Sequence, residues 1–159
     1  MTQVRRITAD DGDGVLALAT LRAAWASDDA GRTSGHEQRW HLDGQFLAAF
    51  AAWFRSQDRV FFLATDDDGI AVGMCNVAFF RRMPKPGVAP SCWAYLANVY
   101  VAPGHRCVGT GSSLVEAATE CARDAGAIRL VTAPSDQSRS LYGRHGFGAA
   151  DGLLVLMLD

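Results

Sequence analysis

Residues 99–112 read Val99-Tyr100-Val101-Ala102-Pro103-Gly104-His105-Arg106-Cys107-Val108-Gly109-Thr110-Gly111-Ser112. The pattern is that of a strand that passes through a turn into the start of a helix. Glycines let the backbone approach a phosphate closely, and the unpaired amides and dipole of a first helical turn attract negative charge. A charged contact from Arg106 adds to this attraction. The segment therefore predicts a local anion-binding site.

Two other kinds of phosphate site fit this segment less well. A P-loop ends in Gly-Lys-Ser/Thr, whereas Gly111 is followed by Ser112-Ser113 with no lysine. A dinucleotide-binding or methyltransferase turn needs G-x-G-x-x-G and an acidic residue after the next strand. Here Leu114 occupies the place of the third glycine, and the next strand ends at Thr132-Ala133-Pro134. The sequence therefore excludes a P-loop and disfavours a dinucleotide-binding or methyltransferase turn.

Hydrophobic periodicity predicts the elements on both sides of the segment. We expect strands at 4–7, 60–65, 70–80, 93–101, 128–133 and 153–158, and helices at 14–27, 36–55, 109–124 and 137–144. The prolines and glycine within 81–91 predict a loop. Asp10, Asp11 and Asp13 precede the first helix and are expected to cap it. The order of elements predicts one mixed α/β domain spanning residues 1–159.

Composition limits the partners of the chain. A formal charge of -2 and a pI near 6.0 provide no general cationic field for nucleic acid or a membrane surface. The opening residues lack an apolar leader, and no apolar run is long enough to span a bilayer, so we expect a cytoplasmic protein. Cys75, Cys92, Cys107 and Cys121 have no metal-ligand spacing, which predicts free thiols and no metal.

Two motifs together resemble one known family. Arg106-Cys107-Val108-Gly109-Thr110-Gly111 is similar to the pyrophosphate loop Q/R-x-x-G-x-G/A of GNAT N-acetyltransferases. Ser135-x-x-Ser138-x-x-Leu141-Tyr142-x-x-x-Gly146-Phe147 is similar to the later motif of that family, N-x-x-A-x-x-L-Y followed by G-F. Two motifs in the right order are more specific than either alone. The resemblance implies a GNAT-like fold with a mixed central sheet flanked by helices and a cofactor held where two strands diverge in a V.

The resemblance also implies a donor, acetyl-CoA, and roles for individual residues. Tyr142 corresponds to the acid that protonates the departing thiolate, for which a phenol is suited because its pKa lies near that of a thiol. Ser135 stands where the family usually has Asn. The cofactor-binding set implied by the resemblance is Val99, Tyr100, Val101, Arg106, Cys107, Val108, Gly109, Thr110, Gly111, Ser112 and Ser135.

Several alternatives stay open at this stage. Tyr142 is either catalytic or packed beneath Gly146-Phe147. The amine loses its proton to a water relay near Tyr95 and Asn98, or to a group among His36, Glu37, His41 and Asp43. The resemblance leaves open a protein amino terminus, a lysine, a polyamine, an aminoglycoside or an amino acid as acceptor, with acids at Asp28, Asp29, Glu37 and Asp43 favouring a cationic one. A homodimer and a non-catalytic acyl-CoA-binding regulatory module also remain options.

Overall fold

The computed structural model of the protein describes residues 2–34, 42–150 and 152–158. Its strands are β1 (Gln3–Ile7), β2 (Arg59–Thr65), β3 (Ala71–Arg81), β4 (Cys92–Val101) and β5 (Ala127–Val131). Its helices are α1 (Gly12–Ser34), α2 (Gly44–Ser56), α3 (Thr110–Asp124) and α4 (Arg139–Arg144). Short 3-10 turns at Pro103–His105 and Asp136–Ser138 precede α3 and α4.

The five strands form one sheet in the order β1-β2-β3-β4-β5. The first four are antiparallel neighbours, and β5 pairs parallel to β4. A parallel pair needs a crossover connection, which α3 supplies. The expectation of a mixed α/β sheet flanked by helices is confirmed.

Alternating side chains divide the core between the two faces of the sheet, as the two-residue period of a strand requires. Phe62 and Ala64 pack on the face covered by α3, where Leu114 and Val115 are fully buried. Phe61 and Leu63 pack on the opposite face with residues of α1 and α2 such as Leu18 and Phe54. No described helix is long and apolar enough to cross a membrane.

Acidic side chains fix the starts of the first two helices. The Asp11 carboxylate accepts a hydrogen bond from the Gly14 amide at 2.8 Å and pairs with Arg5, so the expected cap of α1 is confirmed at Asp11. The Asp43 carboxylate accepts from the Phe46 amide at 2.7 Å. Of the helix predicted for 36–55, the structure therefore shows a start at Gly44, and residues 36–41 lie outside the described residues.

The strand predicted at 153–158 is wrong. The structure assigns no strand there, and Leu154, Val155, Leu156, Met157 and Leu158 are all at least 80% exposed. The segment has high β-propensity, but it is apolar at every position. It therefore lacks the alternation that fixes which face of a strand meets a sheet.

The last two strands diverge part-way along their length. β4 pairs with β5 from Cys92 to Tyr95 and then continues to Val101 paired with β3 only, so that its β5 side is free. A bulge lies in this free half, because Ala97 is opposite Asn76 and Tyr100 is opposite Met74, which leaves Asn98 and Val99 facing one residue of β3. Asn98 has a φ of 55°, and bulges increase the local bend of a strand. The sheet thus opens on the β5 side of β4.

Candidate active site

The segment between β4 and α3 forms a tight loop with two left-handed residues, Cys107 at φ 63° and Gly109 at φ 97°. Gly109 is the N-cap of α3, and its carbonyl accepts from the Ser113 amide at 3.0 Å. Residues with a side chain rarely adopt the backbone conformation of Gly109, so this position favours glycine. The amides of the first turn of α3 have no acceptor within the helix, so the loop presents backbone donors for an anion.

A cavity of about 590 Å³ lies beside this loop, and we call it the loop cleft. Nine of the eleven predicted cofactor-binding residues line it, and Tyr142 lines it too. The nine are Val99, Tyr100, Val101, Arg106, Cys107, Gly109, Gly111, Ser112 and Ser135. The structure therefore brings together both motifs, which are far apart in sequence, around one space.

Val108 and Thr110 do not line the loop cleft. Val108 is 70% exposed, whereas Thr110 is buried and its hydroxyl lies 3.1 Å from that of Thr2. Gly111 has a packing role as well, since a Cβ there would lie 3.3 Å from Leu141 of α4. Within this loop, Val108 therefore faces solvent and Thr110 packs into the scaffold, while the other residues line the cleft.

Arg106 is held by three groups. Its Nε donates to the Val101 carbonyl at 2.8 Å, its Nη2 lies 3.1 Å from the Asp28 carboxylate, and its guanidinium lies 5.9 Å from the Tyr100 ring centroid. The Val101 carbonyl faces away from β3, because the Ala102 amide donates to Val72 of β3 and backbone groups alternate along a strand. Arg106 is therefore fixed at the open edge of β4, with part of its charge balanced by Asp28.

A second cavity, of about 470 Å³, occupies the gap between β4 and the end of β5. We call it the splay chamber. Tyr95, Asn98 and Val99 line it from β4, and Thr132 and Tyr142 line it from the other side. Ser135 lines both cavities, and its hydroxyl lies 3.1 Å from that of Ser138.

Tyr142 connects the two spaces. It lines the loop cleft and the splay chamber, is 6% exposed, and packs edge-on against Phe147 at 5.4 Å between ring centroids. Burial raises the pKa of the Tyr142 phenol, and a hydrogen bond with Thr132 opposes that shift. Tyr142 therefore packs beneath Phe147, and its phenol keeps its proton at neutral pH. Its role as the catalytic acid stays a prediction.

A third cavity, of about 340 Å³, lies between α1, α2 and the sheet, and we call it the aromatic pocket. Phe46, Phe50, Trp53 and Phe61 line it. Trp53 and Asn98 line both this pocket and the splay chamber, so the three cavities adjoin in series. The sequence pattern did not single out these phenylalanines, because aromatic residues at helical spacing are equally typical of a core.

The structure narrows the candidates for a general base. Tyr95 and Asn98 line the splay chamber as expected, whereas Asp43 caps α2. His36, Glu37 and His41 lie outside the described residues. The described residues that line the splay chamber and the aromatic pocket include no carboxylate and no histidine. Within the described part of the chain, no cluster of three or more His, Cys, Asp or Glu residues could hold a metal ion.

Comparison with protein families matches residues 18–147 to the acetyltransferase (GNAT) family. The match covers most of the chain, including both motifs and all three cavities. The chain belongs to the GNAT family. GNAT proteins use acetyl-CoA. No curated protein matches the sequence.

Solved structures share the fold of this GNAT chain over nearly its whole length. A predicted acetyltransferase of Clostridium acetobutylicum, solved with acetyl-CoA, is 19% identical with a TM-score of 0.69, over 99% of this chain and 96% of that one. An aminoglycoside acetyltransferase from an uncultured soil sample is 18% identical (TM-score 0.70; 100% and 98%). A transcriptional regulator of Bacillus halodurans is 23% identical (TM-score 0.70; 99% and 100%). At these identities the likeness shows the GNAT fold alone.

Proposed function

We propose that this chain is an N-acetyltransferase that moves an acetyl group directly from acetyl-CoA to a primary amine. The observation that carries the proposal is the position of Tyr142, whose side chain lines both the loop cleft and the splay chamber. A donor thioester that passes from one space to the other places its sulfur beside the phenol. The same two spaces adjoin a pocket large enough for an acceptor.

The loop cleft fits acetyl-CoA at both ends. The first-turn amides of α3 and Ser112 would hold the pyrophosphate. The free half of β4 offers backbone groups at Val99 and Val101 to the pantetheine arm, as a sheet edge does to an added strand. Ser135 lines the cleft opposite β4 and supplies a hydroxyl where the family usually has an amide.

The proposed transfer is direct, without a covalent acyl-enzyme intermediate, and its bonds and protons balance. The neutral amine forms a bond to the acetyl carbon, the carbon–sulfur bond breaks, and the thiolate takes a proton from Tyr142. The nitrogen releases one proton through water near Tyr95 and Asn98, and solvent restores the proton of Tyr142. We assign stabilisation of the developing oxyanion to a backbone amide near the bulge of β4.

The test is calorimetric titration with acetyl-CoA on two matched variants. Ser112→Glu places a negative charge inside the loop cleft, and a glutamate in the first turn of a helix does not weaken the helix. Val108→Glu adds the same charge on an exposed neighbour that points away from the cleft. We expect Ser112→Glu to abolish binding and Val108→Glu to retain it.

A thiol-release assay against a panel of amines follows the titration. Release with at least one amine establishes the transferase. Binding without release for any amine would favour the regulatory module, and no binding by the wild type would refute both. The single-domain span of residues 1–159, the cytoplasmic location and a homodimer stay predictions, and sedimentation tests the last of these.

A further inference from the structure

The aromatic pocket is a continuous ladder of rings. Ring centroids lie 6.0 Å apart for Phe46 and Phe50, 5.7 Å for Phe50 and Trp53, and 5.6 Å for Trp53 and Phe61. Leu18 and Met74 add apolar surface. Aromatic walls of this kind hold a flat apolar group through stacked and edge-on contacts.

The charged residues around this space are arginines. Arg59 lines the splay chamber beside Trp53, and Arg22 lines the aromatic pocket. Among the residues that the structure describes, no carboxylate lines either space. The Asp28 carboxylate pairs with Arg106 at the loop cleft and lines neither the aromatic pocket nor the splay chamber. A polycationic acceptor would meet two like charges and no partner in this lining.

Arg59 is fixed in position by a buried amide. Its Nη1 donates to the Asn76 side-chain oxygen at 2.9 Å, and Asn76 is 2% exposed. A guanidinium has five N–H donors in a rigid fork, so this contact leaves donors for a carboxylate. Because Arg59 and Tyr142 line the same chamber, a carboxylate held by Arg59 lies in the space where the amine must react.

We propose that the acceptor is an amino acid with an aromatic side chain, a substrate class that rests on the proposed acetyl transfer. The ring occupies the ladder of Phe46, Phe50, Trp53 and Phe61, Arg59 binds the α-carboxylate, and the α-amine faces the splay chamber. The gap between the two spaces is bordered by Trp53 and Asn98, which line both. The soil aminoglycoside acetyltransferase shares the fold, but the described lining here opposes a polycation.

The experiment compares L-phenylalanine with two analogues that each lack one of its groups and with two polycations. L-phenylalanine, phenethylamine without the carboxylate, L-alanine without the ring, spermidine and kanamycin are each assayed for thiol release. We expect kcat/KM for phenylalanine to exceed that for phenethylamine and for alanine by about tenfold or more, because a site built around a charged group rejects analogues that lack it. Spermidine and kanamycin should release little thiol.

Variants assign the preference to Arg59. In Arg59→Gln, the phenylalanine to phenethylamine ratio should fall towards one, mainly through KM, while turnover of phenethylamine persists and shows that the variant is folded. Arg59→Lys should restore part of the ratio, since it keeps the charge and loses the fork. Arg82→Gln, on the exposed loop after β3, is the matched control and should keep the full ratio.

The outcomes separate this inference from the proposed function. Acetyl-CoA binding with faster turnover of spermidine or kanamycin than of phenylalanine would overturn the substrate class and leave the transferase standing. No turnover of phenylalanine, tyrosine or tryptophan would overturn it equally. Absence of acetyl-CoA binding in the titration would instead remove the proposed function on which the inference rests.

Discussion

The Thr132 hydroxyl donates a hydrogen bond to the Leu96 backbone carbonyl at 3.0 Å, at the point where β4 and β5 separate. Beyond this contact β4 runs without a strand on its β5 side, so the carbonyl would otherwise face the opening. The same hydroxyl forms a hydrogen bond with the phenol of Tyr142, which opposes the rise in its pKa. Thr132 therefore satisfies the Leu96 carbonyl at the point where β4 and β5 diverge, and it positions the phenol of Tyr142 beside that point.

Replacing Thr132 by valine should weaken both functions of the hydroxyl. Loss of one hydrogen bond, with the carbonyl of the fully buried Leu96 left unpaired, costs about 1–3 kcal/mol of unfolding free energy. Thr132→Ser keeps the hydroxyl and is the control, with a smaller loss. Urea denaturation followed by circular dichroism measures the difference. Equal stability for valine and serine variants would show that the hydroxyl contributes nothing.

Tyr142→Phe should reduce kcat by about 10²–10⁴, the usual contribution of a positioned proton donor, with little change in acetyl-CoA affinity. Ser138→Ala is the matched control, because it removes a hydroxyl from the same chamber that has no part in the proton transfers, and it should leave most activity. The ring contact between Tyr142 and Phe147 survives the substitution, so folding should persist. Similar losses in both variants would argue against a specific proton donor.

The raised pKa of Tyr142 has a definite sign in stability. Burial makes the folded state hold the phenolic proton more tightly than the unfolded state, whose phenol has a pKa near 10. The resulting stability is fully present below about pH 10 and is lost as pH rises through the folded pKa. We expect the alkaline fall in unfolding free energy to be shallower in Tyr142→Phe. Parallel curves from pH 9 to 11.5 would contradict the assignment.

The sequence predicted the loop cleft because the residues that form it act locally. Gly109 needs its left-handed φ, and the helix start at Thr110 follows from the adjacent residues. Tyr142 came from a motif resemblance, and only the structure shows that it borders two cavities. The loop at Gly109 and the start of α3 depend on short-range geometry, which the spacing of residues along the chain reflects.

The aromatic pocket could not be predicted in the same way. Phe50 lies in α2 and Phe61 lies in β2, and the sequence of neither element predicts a cavity between them. Two of the four acids that suggested a cationic acceptor have other partners: Asp43 caps α2, and Asp28 binds Tyr100 and Arg106. Charge counted along the sequence therefore does not give the charge of the acceptor side, because tertiary pairing decides which charges a pocket contains.

Cys107 should report on occupancy of the loop cleft. It is exposed and lines the cleft, whereas Cys75 is 1% exposed and burial raises the pKa of its thiol strongly. Thiolates are the reactive form, so a disulfide reagent should modify Cys107 quickly and Cys75 only on unfolding. Saturating acetyl-CoA should slow the Cys107 reaction several-fold. Cys107→Ser removes the fast phase, and an unprotected fast phase would place the ligand elsewhere.

Asp28→Asn should tighten acetyl-CoA binding. The Asp28 carboxylate accepts from the Tyr100 hydroxyl at 2.8 Å and from Arg106 at 3.1 Å, so it balances part of the charge of the guanidinium in the loop between β4 and α3. Removing that charge frees Arg106 to attract phosphate. For a partly exposed pair we expect a gain of about two- to fivefold in affinity, with steeper dependence on salt.

A double-mutant cycle isolates this effect, because two residues in contact show a coupling energy that separate sites do not. Calorimetric titration of acetyl-CoA is made on Asp28→Asn, Arg106→Gln and the double variant at two ionic strengths. The gain from Asp28→Asn should vanish when Arg106 is already glutamine, since no guanidinium remains to be released. Weaker binding in Asp28→Asn would instead mean that the carboxylate serves to hold Arg106 in its binding position, with its charge secondary to its geometry.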